Sequence, residues 1–278
     1  MKNFIGIDLG TTNSSISSFD GDKVKIWKSP EQNDITPSVI FMNKRTKYYG
    51  QRAYDNEPFN SENTAKLFKR FMGTSTKIEF PALELSKTPE ECSSEILSVL
   101  YGYLPEEMRN SDDTFSVITV PAAFNQIQKT ATLKAASMAG IGKVALMQEP
   151  IAAVMSVMRS DNSDGIFLIF DLGGGTLDIA IAESIDGSVS LLSHGGIAMC
   201  GGRDFDRLLV KEVIKPWLEE NFVLPKDFSD MKDYATLIKL CNWAAEKAKI
   251  ELSSKHNSLI TLSAVSYTHL TLPTSSQV

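Results

Sequence analysis

Residues 169–178 combine an apolar run, a carboxylate and three consecutive glycines, in the order Ile-Phe-Asp-Leu-Gly-Gly-Gly-Thr-Leu-Asp. Glycine permits positive φ angles and lets backbone N–H groups approach an anion closely, so Gly173, Gly174 and Gly175 suit a phosphate group. Asp171 ends the first apolar run, where a metal counter-ion of that phosphate would be held. A tight β-hairpin with permissive glycines explains the same pattern, and a single copy leaves both interpretations open.

A second copy of this pattern near the start of the chain favours the phosphate interpretation. Residues 4–14 read Phe-Ile-Gly-Ile-Asp-Leu-Gly-Thr-Thr-Asn-Ser, so Asp8 also ends an apolar run and precedes Leu, Gly and hydroxyl residues. Two widely separated copies indicate two similar half-domains, each presenting a hairpin loop. The motif is not a P-loop, which needs Gly-x-x-x-x-Gly-Lys-Ser/Thr, nor a Rossmann turn, which leads into a helix. We therefore predict two hairpins that hold one phosphate chain.

The elements that position these motifs follow from local patterns. In each half the motif lies in the first hairpin of a three-strand meander, over residues 4–28 and 166–193. Thr88 and Glu91 form a capping box that begins the clearest helix, and Asn125 can cap another. The meander and the helices that follow it predict a mixed α/β first half.

Three further segments predict helices. Residues 66–72 read as a short helix whose basic pair would form a solvated face. Residues 204–218 and 232–252 read as longer helices, and the second of these carries an apolar stripe. No further core strand or helix follows in the second half. We therefore expect the second half to be incomplete.

Composition restricts the class of protein. A formal net charge of −6 argues against nucleic acid as the main partner, and no apolar run approaches the ~20 residues that span a bilayer. The first strand begins almost at once, leaving no room for a signal peptide. Cys92, Cys200 and Cys241 are far apart and odd in number, which indicates a reducing compartment and ordinary packing. We expect a cytoplasmic protein with neither membrane nor nucleic-acid partners.

Four separated motifs resemble the ATPase domain of the DnaK-type seventy-kilodalton heat-shock chaperones. Besides the two hairpin motifs, they are Gln-Glu-Pro-Ile-Ala-Ala at residues 148–153 and Gly-Gly-Arg-Asp-Phe-Asp at residues 201–206; residues 64–73 are similar to the bacterial HscC branch. The resemblance implies an α/β, actin-like ATPase fold of two ribonuclease-H-like half-domains. The first lobe would occupy residues 1–160, and a truncated second lobe residues 161–264.

The resemblance also implies roles for individual residues in ATP hydrolysis. Asp8 and Asp171 would orient Mg²⁺ through its water molecules, and Asp178 with Asp8 would hold a potassium ion, although a plain turn role for Asp178 stays open. Lys69 would reach the γ-phosphate and Glu149 would lie near the lytic water. From spacing alone, Lys69 reads as a surface lysine and Glu149 as an acid at a helix start.

The remaining candidates bind the nucleotide. Glu246, Lys249 and Ser253 share one helical face, which in the family contacts adenine and ribose; an exposed charged stripe is the alternative. Arg203 replaces the acid that usually follows the family's glycine pair. Thr176 should place its hydroxyl near the γ-phosphate, and we count it as catalytic with Lys69, Glu149 and Asp171. The predicted nucleotide-binding residues are Gly10, Thr11, Thr12, Asn13, Gly173, Gly174, Gly175, Thr176, Gly201, Gly202, Glu246, Lys249 and Ser253.

The end of the chain has a different character. From residue 265 it reads Val-Ser-Tyr-Thr-His-Leu-Thr-Leu-Pro-Thr, which matches an in-frame translation of a transposase adapter used in sequencing libraries. A Thr/Ser-rich loop does not explain a continuous match. We interpret residues 265–278 as non-native sequence and expect the chain as given to bind ATP poorly.

The function implied by the resemblance is chaperone ATP hydrolysis. ATP or ADP with Mg²⁺, and a potassium ion, would bind here and control the binding and release of unfolded polypeptides by a C-terminal domain absent from this chain. A J-domain co-chaperone and a nucleotide-exchange factor would be further partners. A sugar or acetate kinase and a filament-forming ATPase of the same superfamily are the alternatives.

Overall fold

The computed structural model describes residues 2–158, 164–198 and 200–262. They fall into two compact units. The first unit runs to Gly173 and includes Asp178–Gly196; the second comprises Gly174–Leu177 and the chain from Ile197 onward. The predicted lobe boundary at residues 160–161 and the predicted non-native tail both lie outside the described residues.

The described residues form fourteen strands and eight α-helices. The strands are β1 Asn3–Asp8, β2 Asn13–Phe19, β3 Val24–Ile26, β4 Thr36–Pro37, β5 Val39–Met42, β6 Lys47–Tyr49, β7 Thr64–Lys66, β8 Ile78–Phe80, β9 Leu85–Lys87, β10 Thr114–Val120, β11 Val144–Gln148, β12 Gly165–Leu172, β13 Thr176–Ile185 and β14 Ser188–Ala198. The helices are α1 Gly50–Asn60, α2 Pro89–Tyr101, α3 Glu106–Arg109, α4 Gln126–Met138, α5 Glu149–Met158, α6 Gly202–Leu209, α7 Lys215–Asn221 and α8 Ala235–Leu252. The α/β prediction is confirmed.

The main sheet of the first unit has the order β11-β10-β1-β2-β3, with β4 also paired to β2. Strand β1 is antiparallel to β2, across the first motif loop, and parallel to β10. Strand β11 is parallel to β10, and α4 supplies the crossover that two parallel strands need. The carboxyl ends of β1, β10 and β11 therefore lie at one edge of the sheet, which is where the first motif is placed.

The core of the first unit lies between this sheet and two capped helices. Ile5 and Ile7 alternate into the interior along β1, and α2 contributes Ile96 and Leu97, all at most 2% exposed. Helices α2 and α4 both begin at the predicted capping boxes, on Thr88 and Asn125, whose side chains accept from the backbone N–H three residues later. Local side-chain chemistry therefore fixes where both helices start.

A second sheet, in the order β12-β13-β14, carries the second motif loop between its first two strands. Phe167 and Ile169 on one face of β12 pack against α5. The alternate residues Ile166, Leu168 and Phe170 are 70%, 61% and 64% exposed. Among the described residues, this sheet has no counterparts of β10 and β11.

The second unit is helical around its own apolar cluster, which includes Val210, Phe228 and Cys241. The single helix predicted over residues 204–218 is divided here into α6, a π-helical turn at Val210–Ile214 and α7. Burial raises the pKa of the Cys241 thiol to about 12, consistent with the predicted packing role. No helix in the described ranges is both long and apolar enough to cross a membrane.

Two elements of the first unit differ from the sequence prediction. The short helix predicted over residues 66–72 is instead the end of β7 followed by a 3-10 turn, Phe68–Phe71, because Leu67 adopts a left-handed conformation (φ 60°) that no α-helix accommodates. Helix α1, which contains Pro58, was not predicted. Its sequence carries no capping signal, and tertiary packing against β5 stabilises it.

Candidate functional site

The first motif loop connects β1 to β2 and contains the predicted phosphate-binding residues Gly10, Thr11 and Thr12. Gly10 cannot carry a side chain, because a Cβ there would lie 1.9 Å from the carbonyl oxygen of Asn13. The loop therefore turns so tightly at this position that only glycine fits.

Asp8 ends β1 and faces solvent next to the end of β10. Its Oδ1 accepts a hydrogen bond of 2.8 Å from the hydroxyl of Thr119 on β10. The parallel register of the two strands, in which Ile7 lies opposite Ile118, creates this contact. The hydrogen bond fixes the orientation of one of the three predicted metal-site carboxylates.

Lys69 is buried, in contrast to the surface position that its spacing suggested. Only 5% of the residue is exposed, and its Nζ lies 2.8 Å from Oε1 of Glu149. The ammonium group also lies 5.7 Å from the ring centre of Phe124. The left-handed residue Leu67 begins the turn that contains Lys69. Lys69 and Glu149, two predicted catalytic residues 80 positions apart, therefore lie in direct contact.

Glu149 begins α5 and is half-buried. Burial raises the pKa of its carboxyl above the usual value, Lys69 opposes that rise, and the charges of Asp8 and Asp171 add to it. A carboxyl whose pKa is raised is a stronger proton acceptor when ionised. Glu149 can therefore orient a water molecule or accept a proton from it.

Asp171 lies on β12 within the electrostatic reach of the other site carboxylates. Asp171 as a whole is exposed, yet partial desolvation of its carboxyl raises its pKa, Asp178 and Asp8 raise it further, and Lys69 opposes the rise. A small pocket in the first unit is lined by Glu149, Asp171 and Asp178 together with His194, a residue to which sequence analysis assigned no chemistry. The structure thus brings together the acidic residues that we predicted from both motifs.

The donor set of this cluster fits a hard divalent cation. Carboxylate oxygens are the ligands that Mg²⁺ prefers, and a cation would relieve the mutual repulsion that raises the pKa of Asp171. Across the described ranges, no three His, Cys, Asp or Glu side chains are arranged to ligate one ion directly.

We expect Asp171→Asn to stabilise the ligand-free protein at neutral pH, because it removes a disfavoured carboxylate. The pKa of Asp171 is raised in the folded state, so ionised Asp171 lowers the free energy of unfolding. This effect is fully present above the folded-state pKa and vanishes below the unfolded-state pKa. The gain in urea midpoint should therefore shrink as the pH is lowered. Asp112→Asn, at an exposed site on the loop before β10, is the control. Equal midpoints for Asp171→Asn and wild type at neutral pH would contradict this account.

In the second unit, the second motif loop contacts the start of α6. The N–H of Arg203 donates to the carbonyl oxygen of Gly174 at 2.9 Å. The N–H of Gly201 donates to the Asp204 carboxylate at 2.9 Å, which closes the turn that begins the helix. Gly174 of the predicted phosphate loop is therefore a neighbour of the predicted pair Gly201–Gly202.

Lys249 on α8 reaches the same turn. Its Nζ donates to the carbonyl oxygen of Gly202 at 2.8 Å and lies 2.6 Å from Oδ1 of Asp206 on α6. Asp206 is buried, which raises its pKa although Lys249 opposes the rise. Ser253 follows the last residue of α8, and its hydroxyl donates to the Lys249 carbonyl oxygen. Asp206, which we did not predict as a site residue, thus orients Lys249 toward the glycine turn.

Sequence analysis missed the residues that hold the predicted ones in place. They are Ser38, Thr119 and Asp206, which contact Gly10, Asp8 and Lys249 respectively. Ser38 and Thr119 lie far in sequence from the residues that they hold and follow no spacing rule, whereas Asp206 lies in the Gly-Gly-Arg-Asp-Phe-Asp motif.

Comparison with known proteins gives one family. The family model described as Hsp70 protein matches residues 4–276. The chain is 37% identical over 281 aligned residues to a chaperone protein dnaK from Gracilaria tenuistipitata var. liui, covering 91% of this chain and 44% of that protein. It is 35% identical over 285 aligned residues to a chaperone protein dnaK from Thalassiosira pseudonana, covering 94% and 46%. The chain spans about half the length of these curated relatives, and the HscC branch stays a prediction.

Proposed function

The chain belongs to the Hsp70 family, and from that premise we propose that it is the nucleotide-binding, ATP-hydrolysing domain of a molecular chaperone. One observation carries the proposal: an ion pair between buried Lys69 and half-buried Glu149 lies beside the carboxylates of two Asp-Leu-Gly motifs. Phosphoryl transfer to water needs positioning and charge neutralisation rather than covalent catalysis. This cluster supplies the ammonium group of Lys69, the carboxylate of Glu149 as a proton acceptor, and carboxylate oxygens that can bind a metal ion.

Lys69 and Glu149 take the two central roles in this proposal. The Lys69 ammonium stabilises negative charge that develops on the γ-phosphate, because it is largely desolvated and already oriented. The Glu149 carboxylate orients the attacking water and accepts its proton. Asp171 and Thr176 complete the catalytic group, and Asp8 with Asp171 would hold Mg²⁺, which neutralises phosphate charge when bound. Asp178 with Asp8 would hold a potassium ion.

Three segments of the chain would contact ATP or ADP. The first loop, residues 10–13, and the second loop, residues 173–176, would bind the phosphates through backbone N–H groups and hydroxyls. The glycine turn at residues 201–202, with Glu246, Lys249 and Ser253, would bind the nucleoside. The contacts of Lys249 with Gly202 and Asp206 support this assignment, since they orient α8 and the turn together.

The partners and setting of the whole protein are part of the proposal. The dnaK relatives are named chaperones, so we propose that ATP turnover controls the binding of unfolded polypeptides in the cytoplasm. A J-domain co-chaperone and a nucleotide-exchange factor would regulate the cycle. The family match and the Lys69–Glu149 pair support this reading over a sugar kinase, an acetate kinase or a filament-forming ATPase.

We also propose that residues 161–264 are part of a longer second lobe. The exposed face of Ile166, Leu168 and Phe170, and the sheet edge beside β12, correspond to positions that β10, β11 and their helix cover in the first unit. The genomic reading frame beyond codon 264 tests this. It should continue into a strand and helices of the same lobe, in place of residues 265–278.

The fate of the γ-phosphate distinguishes ATP hydrolysis from the two kinase functions. The protein is incubated with Mg²⁺ and ATP labelled in the γ-phosphate, with and without sugars and acetate. We expect the label only in inorganic phosphate, at a rate independent of these additions. Label in a sugar phosphate or in acetyl phosphate would replace the chaperone proposal with a kinase.

A further inference from the structure

Three residues around the first motif loop form a closed ring of hydrogen bonds. The Gly10 N–H donates to Oγ of Ser14 at 3.1 Å, and the two serine hydroxyls of Ser14 and Ser38 lie 2.8 Å apart. The Ser38 hydroxyl donates to the Gly10 carbonyl oxygen at 2.9 Å. Ser14 belongs to β2 and Ser38 lies between β4 and β5, so the ring ties the loop to β2 and to the junction of β4 and β5.

Counting hydrogens settles the direction of every bond in the ring. Each hydroxyl has a single hydrogen, and that of Ser38 is donated to Gly10. Ser14 must therefore donate to Ser38, while its lone pairs accept from the Gly10 N–H. All donors then point the same way around the ring, an arrangement in which each bond polarises and strengthens the next.

Burial makes this ring hard to open. Ser14 and Ser38 are each 1% exposed, so neither hydroxyl can exchange its partner for bulk water. A buried donor or acceptor that loses its partner is left with an uncompensated desolvation cost. Removing either hydroxyl therefore leaves at least one buried group of the ring without its partner.

The ring determines where the loop presents its remaining N–H groups. The peptide unit is planar and trans, so the N–H of Thr11 points opposite the Gly10 carbonyl that Ser38 holds. The Ser38 N–H also donates to the Thr12 carbonyl oxygen at 2.7 Å, which directs the N–H of Asn13 in the same manner. Ser38 thus fixes two peptide planes of the loop, one through its hydroxyl and one through its N–H. The Gly10 N–H donates within the ring to Ser14.

We propose that Ser38 is a positioning residue for phosphate recognition: it holds the peptide planes that aim the Thr11 and Asn13 N–H groups at the bound phosphates. This inference rests on the proposed function, because it needs a phosphate-bearing ligand at the first motif loop. The inference adds Ser38, which lies outside the motif, to the phosphate site. It also means that the Gly10 N–H, which donates to Ser14, does not donate to the phosphates.

The test compares Ser38→Ala with Ser17→Ala in the 278-residue chain. Ser17 also lies in the first hairpin, and its hydroxyl makes only a 3.4 Å contact with the Gly6 carbonyl. We expect Ser38→Ala to weaken Mg-ATP binding about tenfold, to leave adenosine binding unchanged, and to speed hydrogen exchange of the loop at residues 9–13. Ser17→Ala should match wild type in all three measurements.

Two further variants keep the test decisive. Ser38→Cys preserves volume with a weak donor and should give an intermediate loss, which serves if Ser38→Ala does not fold. Ser14→Ala should cause a smaller loss than Ser38→Ala, because the Ser38 hydroxyl still donates to the Gly10 carbonyl oxygen, and the double variant should resemble Ser38→Ala. Equal loss of ATP and adenosine affinity, or unchanged exchange in the loop, would overturn the inference. Wild-type protein that binds adenosine but not ATP would instead overturn the proposed function.

Discussion

Lys69→Ala is expected to reduce the rate of ATP hydrolysis by about 10²–10³-fold while leaving Mg-ATP affinity within a few-fold of wild type. The Lys69 ammonium lies in a desolvated position. In the proposed mechanism it would act on charge that develops in transfer, whereas the loop backbones would supply ground-state binding. Single-turnover hydrolysis and equilibrium binding, measured side by side, separate the two effects.

The same variant should change the pH dependence of the remaining activity. Lys69 lowers the pKa of Glu149 against the effect of burial, so its removal lets that pKa rise. If ionised Glu149 accepts the proton, the acid limb of the rate profile moves to higher pH. Lys66→Ala, whose partly exposed ammonium pairs with Glu57, is the matched control and should leave rate and profile unchanged. Normal hydrolysis by Lys69→Ala would remove this residue from the mechanism.

Gly10→Ala should weaken Mg-ATP binding at least about 100-fold, which corresponds to ~2.7 kcal/mol. Its Cβ would lie 1.9 Å from the Asn13 carbonyl oxygen, and a backbone atom cannot move aside as the end of a flexible side chain can. The loop must therefore open, which breaks the Ser14–Ser38 ring as well. Calorimetric titration measures the loss, and unchanged far-UV circular dichroism shows that the core is retained.

Gly142→Ala is the matched control for this change. Nothing lies within 4 Å of a Cβ at Gly142, and its φ is not positive, so alanine is accommodated there. Nucleotide affinity should equal that of wild type. Gly10→Ala protein that binds Mg-ATP normally would show that the tight turn plays no part in phosphate recognition.

Features fixed by neighbouring residues could be predicted from the sequence. The capping boxes at Thr88 and Asn125 satisfy the first N–H groups of α2 and α4 with side chains only three residues apart, so their pattern is visible in the chain. The strands that lead into both motifs are apolar runs that end in Asp-Leu-Gly, which places the residues after each Asp-Leu pair in a turn between two strands.

Features fixed by distant residues could not be predicted in this way. Lys69 is buried because a left-handed Leu67 turns the chain and Glu149, far away in sequence, supplies the compensating charge. Ser38 reaches Gly10 only because β4 pairs with β2. The π-helical turn at Val210–Ile214 follows no pattern that we recognise in its residues.

Mapping the Mg-ATP contacts by NMR on the isotopically labelled chain tests the central claim most directly. Even if binding is weak, we predict saturable chemical-shift changes at the amides of residues 10–13 and 173–176, with smaller changes at residues 201–202. Lys69→Ala should keep these changes, and Gly10→Ala should lose those at the first loop. Saturable changes confined to other residues, or none at either Asp-Leu-Gly loop, would contradict the assignment of this chain as a nucleotide-binding ATPase domain.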